Sequence, residues 1–274
     1  MNWALWKKAI RAARMQLLVT SVLLILFGWV FVWLIGMFDM GAWTGLLNLL
    51  PDFSRKMLGI SMTKFATPKG QISVLYMHLI TILLCMGWAV GRGSDPISGE
   101  ISRGTMDLTL SLPVRRRSVL FIPAVVSTIG AVILAAALLF GNWLGLVFAR
   151  PDSHLAITAF LPGAINLASL MVCVSGITAL VSSFNRSRWR AISIVIAFYV
   201  VSIILQMVSR LWGKGAWLAY GSFLAAYEPQ RLILESSEYP SLIYWYNGAL
   251  LGVGLLCYLA AAVVFSHRDI PSAY

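Results

Sequence analysis

A bilayer core about 30 Å thick is crossed by about 20 mostly apolar residues in helical form. Six runs of this 274-residue chain reach that length: 15–38, 71–90, 118–149, 155–184, 191–211 and 242–265. Backbone N–H and C=O groups in lipid must pair within their own segment, so each run is expected as a helix. Composition agrees, with 59% hydrophobic and 11% charged residues, against roughly 25% charged in soluble domains. The mean hydropathy is +0.83. The expectation is an all-α polytopic membrane protein, one transmembrane domain over 1–274 with about six spans. The third and fourth runs exceed the hydrocarbon thickness, and Pro162-Gly163 marks an expected kink. The first run is too long for a signal-peptide core and no small-x-small cleavage pattern follows, so it reads as the first span.

The net charge of +11 would suggest nucleic acid on a soluble protein. Here the basic residues sit at the ends of apolar runs, the pattern of a membrane topology signal, and nucleic acid is not expected as a partner. With the N-terminus in the cytoplasm, the inner side holds Lys7, Lys8, Arg11, Arg14, Arg92, Arg103, Arg115, Arg116, Arg117, Arg186, Arg188, Arg190 and Arg268. The outer loops are longer yet hold fewer cations, so both termini are expected to be cytoplasmic. Cys85, Cys173 and Cys257 fall inside apolar runs without CxxC spacing, which gives no support to a disulfide framework or zinc site; they read as small buried apolar residues.

Catalytic patterns are missing. No G-x-x-x-x-G-K-[ST] loop occurs, and Gly213-Lys214-Gly215 is not one. No HExxH helix, aspartate pair or buried nucleophile with a base supports an intramembrane hydrolase. No carboxylate lies deep in a run, which disfavours proton or sodium coupling. His78, Asn142, Asn166 and Gln206 are the polar side chains inside the runs. His78 reads as a hydrogen-bonded interior residue near the outer face, and Asn142 and Asn166 as bonds across helices.

At 100° per residue Trp3, Trp6, Ile10 and Ala13 share one face, and Lys7, Lys8, Arg11 and Arg14 the other. Residues 1–14 therefore read as an interfacial amphipathic helix anchored by tryptophans and cations at the lipid headgroups. A charged flank of the first span is the plainer alternative. The outer segments 39–70 and 212–241 mix apolar, aromatic, Pro and Gly residues and are expected as short helices at the outer face.

The polar insert between the second and third runs, "GRGSDPISGEISRGTMDLTLSLPVRRRS", holds Arg92, Asp95, Glu100, Arg103, Asp107 and the Arg115, Arg116, Arg117 triplet. Asp95-Pro96 reads as a capped helix start, with a short helix to Arg103. Gly104 breaks it, a second stretch from Thr105 to Leu112 puts Leu108 and Leu112 on one face, and Pro113 ends it. Such an element lies on the membrane and presents a firm knob to a soluble partner. A solvated loop whose arginines only set topology fits the same composition.

The insert resembles the signature of ABC-2-type transporter permeases: a Glu, then Gly-Thr, a leucine-rich stretch and Pro-Val-x-Arg. Glu100, Gly104, Thr105, Leu108, Leu110, Pro113, Val114 and Arg116 match, while Leu-Thr-Leu stands where the family usually has Leu-Leu. "YEPQRLIL" resembles the family's outer segment before the last span, and "FSHRDIPS" its ending after it. The resemblance implies a permease that pairs with a second permease subunit, the same or homologous, and with two ABC ATPase subunits. ATP and Mg would bind those ATPases; this chain would be a transport subunit without catalytic residues. It implies that the insert, 92–117, is the coupling helix, with Asp95, Glu100, Arg103, Gly104, Thr105 and Pro113 as its key residues. Glu100 would be the charged contact or the residue that sets the geometry, Gly104 the bend, and the arginine triplet the headgroup anchor. Arg186, Arg188 and Arg190 in "NRSRWR" would be a second contact, although positive-inside anchoring accounts for them better. Alternating access would follow, in the plasma membrane, the inner membrane of a bacterium. A secondary carrier without an ATPase and a membrane scaffold subunit remain as alternatives.

Overall fold

The computed structural model describes residues 3–37, 62–106, 108, 111, 116–149 and 155–267, together with 45, 49 and 51. The described residues are helical and turn structure with no strand. Six helices are long and apolar enough to cross a membrane, so the chain is an all-α, multi-pass membrane protein. The first is α1, Trp3–Gly36. A short α2, Pro68–Ser73, and a 3-10 turn, Val74–Met77, lead into α3, Leu79–Ser94. Then come α4, Arg116–Ala149, α5, Leu161–Phe184, and α6, Arg188–Leu211. A short α7, Pro229–Glu235, precedes the last long helix, α8, Ser241–His267.

Residues 3–14 are helical as the first turns of α1, which runs into the span without interruption and leaves them no separate helix. Thirty-four residues extend about 50 Å, well beyond a hydrocarbon core. Trp3 and Ile10 are exposed on one side of these turns, while Leu5 and Ala13 pack inward.

Two prolines behave differently from expectation. Pro162 does not kink a helix, because it lies in the first turn of α5, just after the 3-10 turn Ile157–Phe160. An N–H missing there is one the helix would leave unpaired anyway. Pro96 does not start one. Asp95 has αR backbone angles and caps nothing, since α3 continues through a π turn, Asp95–Gly99, into Glu100–Ser102. Pro96 has no N–H for the carbonyl one turn back, and its ring crowds that carbonyl. The wider π turn relieves both.

The core centres on α5, which packs against α8, α3 and α4. About two thirds of its apolar window is buried, against 17% for α6 at the periphery. Small residues let the helices close. A Cβ on Gly176 would lie 2.3 Å from the Gly254 carbonyl oxygen of α8. One on Gly141 of α4 would lie 2.4 Å from the Ile25 carbonyl oxygen of α1. Without a hydrophobic drive between helices in lipid, backbone approach of this kind supplies the packing. Trp88 of α3, fully buried, donates its indole N–H to the Ser127 carbonyl of α4 at 3.1 Å.

The region 212–241 forms short helices as expected: 3-10 turns Gly213–Gly221 and Phe223–Ala226, then α7. Residues 39–44 and 52–61 of the other outer segment lie outside the described residues. Cys85 and Cys173 are buried thiols and Cys257 is half-buried, all unpaired.

Candidate functional site

The insert folds against α1, α4, α5, α6 and α8, and its ties to α1, α5 and α6 include polar ones. Gly104 has φ +69°, the only positive φ among the described residues. Its N–H bonds the Ile101 carbonyl at 3.0 Å, and the Thr105 N–H bonds the Glu100 carbonyl at 3.1 Å. These two bonds form a Schellman ending, which needs a left-handed residue at the glycine position. The bend read from Gly104 is therefore a helix stop with a defined exit.

An apolar contact usually accompanies that ending. Here it is polar: the Thr105 hydroxyl donates to Glu100 Oε2 at 2.7 Å. Lys8 Nζ of α1 donates to the same oxygen at 2.9 Å, and Arg103 Nη2 to Oε1 at 3.0 Å. Glu100 is 7% exposed and spends its carboxylate inside the fold. Asp95 accepts from Arg103 Nη1 at 2.9 Å and pairs with Arg188 at 3.4 Å and Arg92 at 3.7 Å. Surface ion pairs contribute little singly. Here two largely buried carboxylates share four cations, and the cations come from α1, α3, the insert and α6.

Hydroxyls complete the tie. Ser182 of α5 and Ser98 bond through their hydroxyls at 2.8 Å, and the Ser98 N–H donates to Ser182 Oγ at 2.9 Å. Ser102 Oγ accepts the Arg188 N–H at 3.0 Å and donates to the Arg186 carbonyl at 3.2 Å. Arg188 also donates to the Gly91 carbonyl and to Ser94 Oγ, both at 3.3 Å. Below lies a separate apolar cluster of Ile97, Met106, Val119, Leu120, Ala179, Ala261 and Phe265, which joins the insert to α4, α5 and α8. A cavity of about 60 Å³ between Leu5, Lys8, Asp95, Glu100 and Pro123 is solvent-sized.

The sequence-predicted residues thus separate. Asp95, Glu100, Arg103, Gly104 and Thr105 converge, joined by Lys8, read from sequence as an anchor, and by Arg188, read as an anchor or a second contact. Trp3, Arg11 and Arg14 stay on the exposed side of α1, with Lys7 over the Trp3 ring at 5.8 Å and Trp6 half-buried. Arg186 and Arg190 are exposed, and Arg117 is exposed at the start of α4. Pro113 and Arg115 lie outside the described residues, as do Asp107 and the chain beyond His267; Arg116 is placed only as the first residue of α4. Ser94, Ser98 and Ser182 were not singled out from sequence, and Arg92 was read only as a charge of the insert on the inner side. A serine four residues after a serine was the available signal.

The other polar residues form a second network at the opposite end. Asn166 of α5 donates to Asn247 Oδ1 of α8 at 3.0 Å and to the Ala226 carbonyl at 3.1 Å, a bond across helices as expected. Its Oδ1 accepts the Glu228 N–H at 3.0 Å. Glu228 pairs with Arg210 of α6 and accepts from Gln206 at 3.3 Å. Burial pushes the Glu228 carboxyl above the ordinary carboxylate range, against the pull of Arg210. The Tyr227 hydroxyl donates to the Tyr76 carbonyl at 2.6 Å. His78 is half-buried and accepts the Ile80 N–H, with Phe27 and Phe31 against its ring. Asn142 of α4 is fully buried and faces the buried Tyr76 hydroxyl across the helices, outside ideal hydrogen-bond geometry.

The sequence pieces that resembled a known signature therefore occupy organised positions: the Glu-to-Gly-Thr turn, the Tyr227-Glu228-Pro229 corner and the buried Phe265. A family described as ABC-2 family transporter protein has a sequence model that matches residues 3–270. The chain belongs to the ABC-2 transporter family. That match spans all six long helices, so the ABC-2 assignment covers the whole bundle and not one motif. The chain is accordingly a membrane permease component of an ABC transporter. No curated protein matches it. Among the described residues no group of histidine, cysteine or carboxylate side chains is placed to hold a metal.

Proposed function

We propose that this permease converts ATP-driven closure of a separate ATPase pair into alternating access of the membrane bundle, with the insert as its coupling element. ATP and Mg sit on the ATPase subunits, and a second permease subunit, identical or homologous, completes the transporter. Both termini and the insert face the cytoplasm, in the plasma membrane.

One observation carries this reading. The turn ending at Gly104 is tied by Lys8 to α1, by Arg188 to α6 and by Ser182 to α5, while its tip, Ser102 to Gly104, is exposed. Force applied at the tip reaches those helices without passing through a loose loop. Glu100 acts here by setting the geometry, since its carboxylate faces inward, and Arg103, Leu108 and Trp189 offer exposed contact to the partner.

The test is a mild-detergent pull-down of the tagged chain from its native membranes, with mass spectrometry of what is retained. A stoichiometric nucleotide-binding protein is expected with the unmodified chain. Its recovery falls at least tenfold in Glu100→Ala, which removes the carboxylate that Lys8 and Arg103 share, with the variant still in the membrane fraction. A chain recovered alone, or with proteins that bind no nucleotide, overturns the reading.

A further inference from the structure

One open feature plays no part in the coupling turn. A groove of about 710 Å³ runs between α4 and α8, with Val172 of α5 also lining it. That volume lies in the range of small-molecule sites, roughly 300–1,000 Å³. Residues 117–129 of α4 and 251–262 of α8 line it. Twelve residues of helix rise about 18 Å, and one leaflet of a bilayer core is about 15 Å deep. The groove starts at the insert end of the bundle and stops one leaflet in.

Its chemistry is that of an amphiphile's complement. Arg117 lines the mouth, is exposed, and has no acidic partner among the described residues. The walls are apolar; Phe121 is 66% and Leu255 60% exposed, with nothing of the described chain over them. The deep hydroxyls are spent. Thr128 donates to the Ala124 carbonyl at 3.0 Å and Tyr258 to Ser175 at 2.9 Å. A polar substrate would find no donor in the depth of the groove.

We infer that this groove binds one anionic phospholipid, its phosphate on Arg117 and an acyl chain between α4 and α8. A guanidinium matches phosphate geometry better than any other side chain. A second copy of the chain fits less well. A two-fold axis along the membrane normal would set Arg117 against its own copy at the same depth. The bound lipid also fills the space α4 and α8 must traverse if they move relative to each other.

The full-length chain, purified in mild detergent, is offered equal amounts of phosphatidylglycerol and phosphatidylcholine, and the retained lipid is counted by native mass spectrometry. One phosphatidylglycerol per chain is expected to survive delipidation. Arg117→Gln lowers that retention about fivefold, the effect of one cation at an anionic surface, and Arg117→Lys retains most of it. Thr128→Trp and Leu255→Trp, which fill the groove from opposite walls, abolish retention. Arg117 is exposed, so the glutamine variant keeps its elution volume and helical circular dichroism. Equal retention of the two lipids, unchanged retention in Arg117→Gln, or a chain dimer that Phe121→Arg separates, each overturns the inference.

Discussion

Gly104 shows how one residue type decides a functional shape. Its φ of +69° closes the Schellman ending, and an added Cβ would meet nothing within 4 Å. A substitution there acts through backbone strain alone. Gly104→Ala is expected to lower stability by about 1 kcal/mol, the penalty for a left-handed L-residue, and Gly104→Asn by less, because asparagine tolerates that region. Thermal unfolding in detergent measures both. Equal losses for Ala and Asn would mean that crowding, not strain, sets the effect. Glu100 was legible from its place before Gly-Thr in the resembled signature. Its partners were not, since Lys8 is 92 residues away and only the fold brings it within 2.9 Å.

Among the elements, six apolar runs were readable because lipid leaves a spanning backbone little choice. Their ends shifted where local chemistry intervened. α3 overran its expected limit through the π turn at Pro96, and α5 began at Leu161, with Pro162 in its first turn, instead of bending there. Which glycines bring helices together was not readable, since the α8 glycines look alike in sequence. The structure separates them. On α8, a Cβ on Gly254 would lie 2.9 Å from the Cys173 backbone of α5, whereas Gly252 has open space. Gly176→Val, facing the Gly254 carbonyl, is expected to destabilise the protein by about 1–3 kcal/mol, the range for overpacking. Gly252→Val should leave the melting temperature within about a degree or two, as a surface change. Similar melting temperatures for the two variants would refute the close α5–α8 packing.

At the scale of the whole molecule, two polar knots close the two ends of an apolar bundle. The Asp95 and Glu100 knot joins α1, α3, α5 and α6, and the Glu228 knot joins α5, α6 and α8. The second should be sensitive to pH. Glu228 holds its proton more tightly folded than unfolded, because burial outweighs Arg210. Its contribution is complete below the ordinary carboxylate value, near pH 4.3, and is lost as pH rises through the raised folded value. Glu228→Gln cannot ionise, so its stability relative to the unmodified chain should grow as pH rises from about 4 to about 7. Paired thermal melts across that interval measure it. A gap that is flat or narrows with pH would show that Arg210 wins instead.

The sequence by itself determined the solvent, the helix count and the family resemblance, because apolar length and short motifs are local properties that lipid and backbone chemistry read directly. The tertiary structure decided which charges meet. Lys8 finds Glu100, Arg188 finds Asp95, and Arg210 finds Glu228. Charge pairing depends on which helix ends come together, and that follows from the packing of α5 against its neighbours, which no single segment specifies.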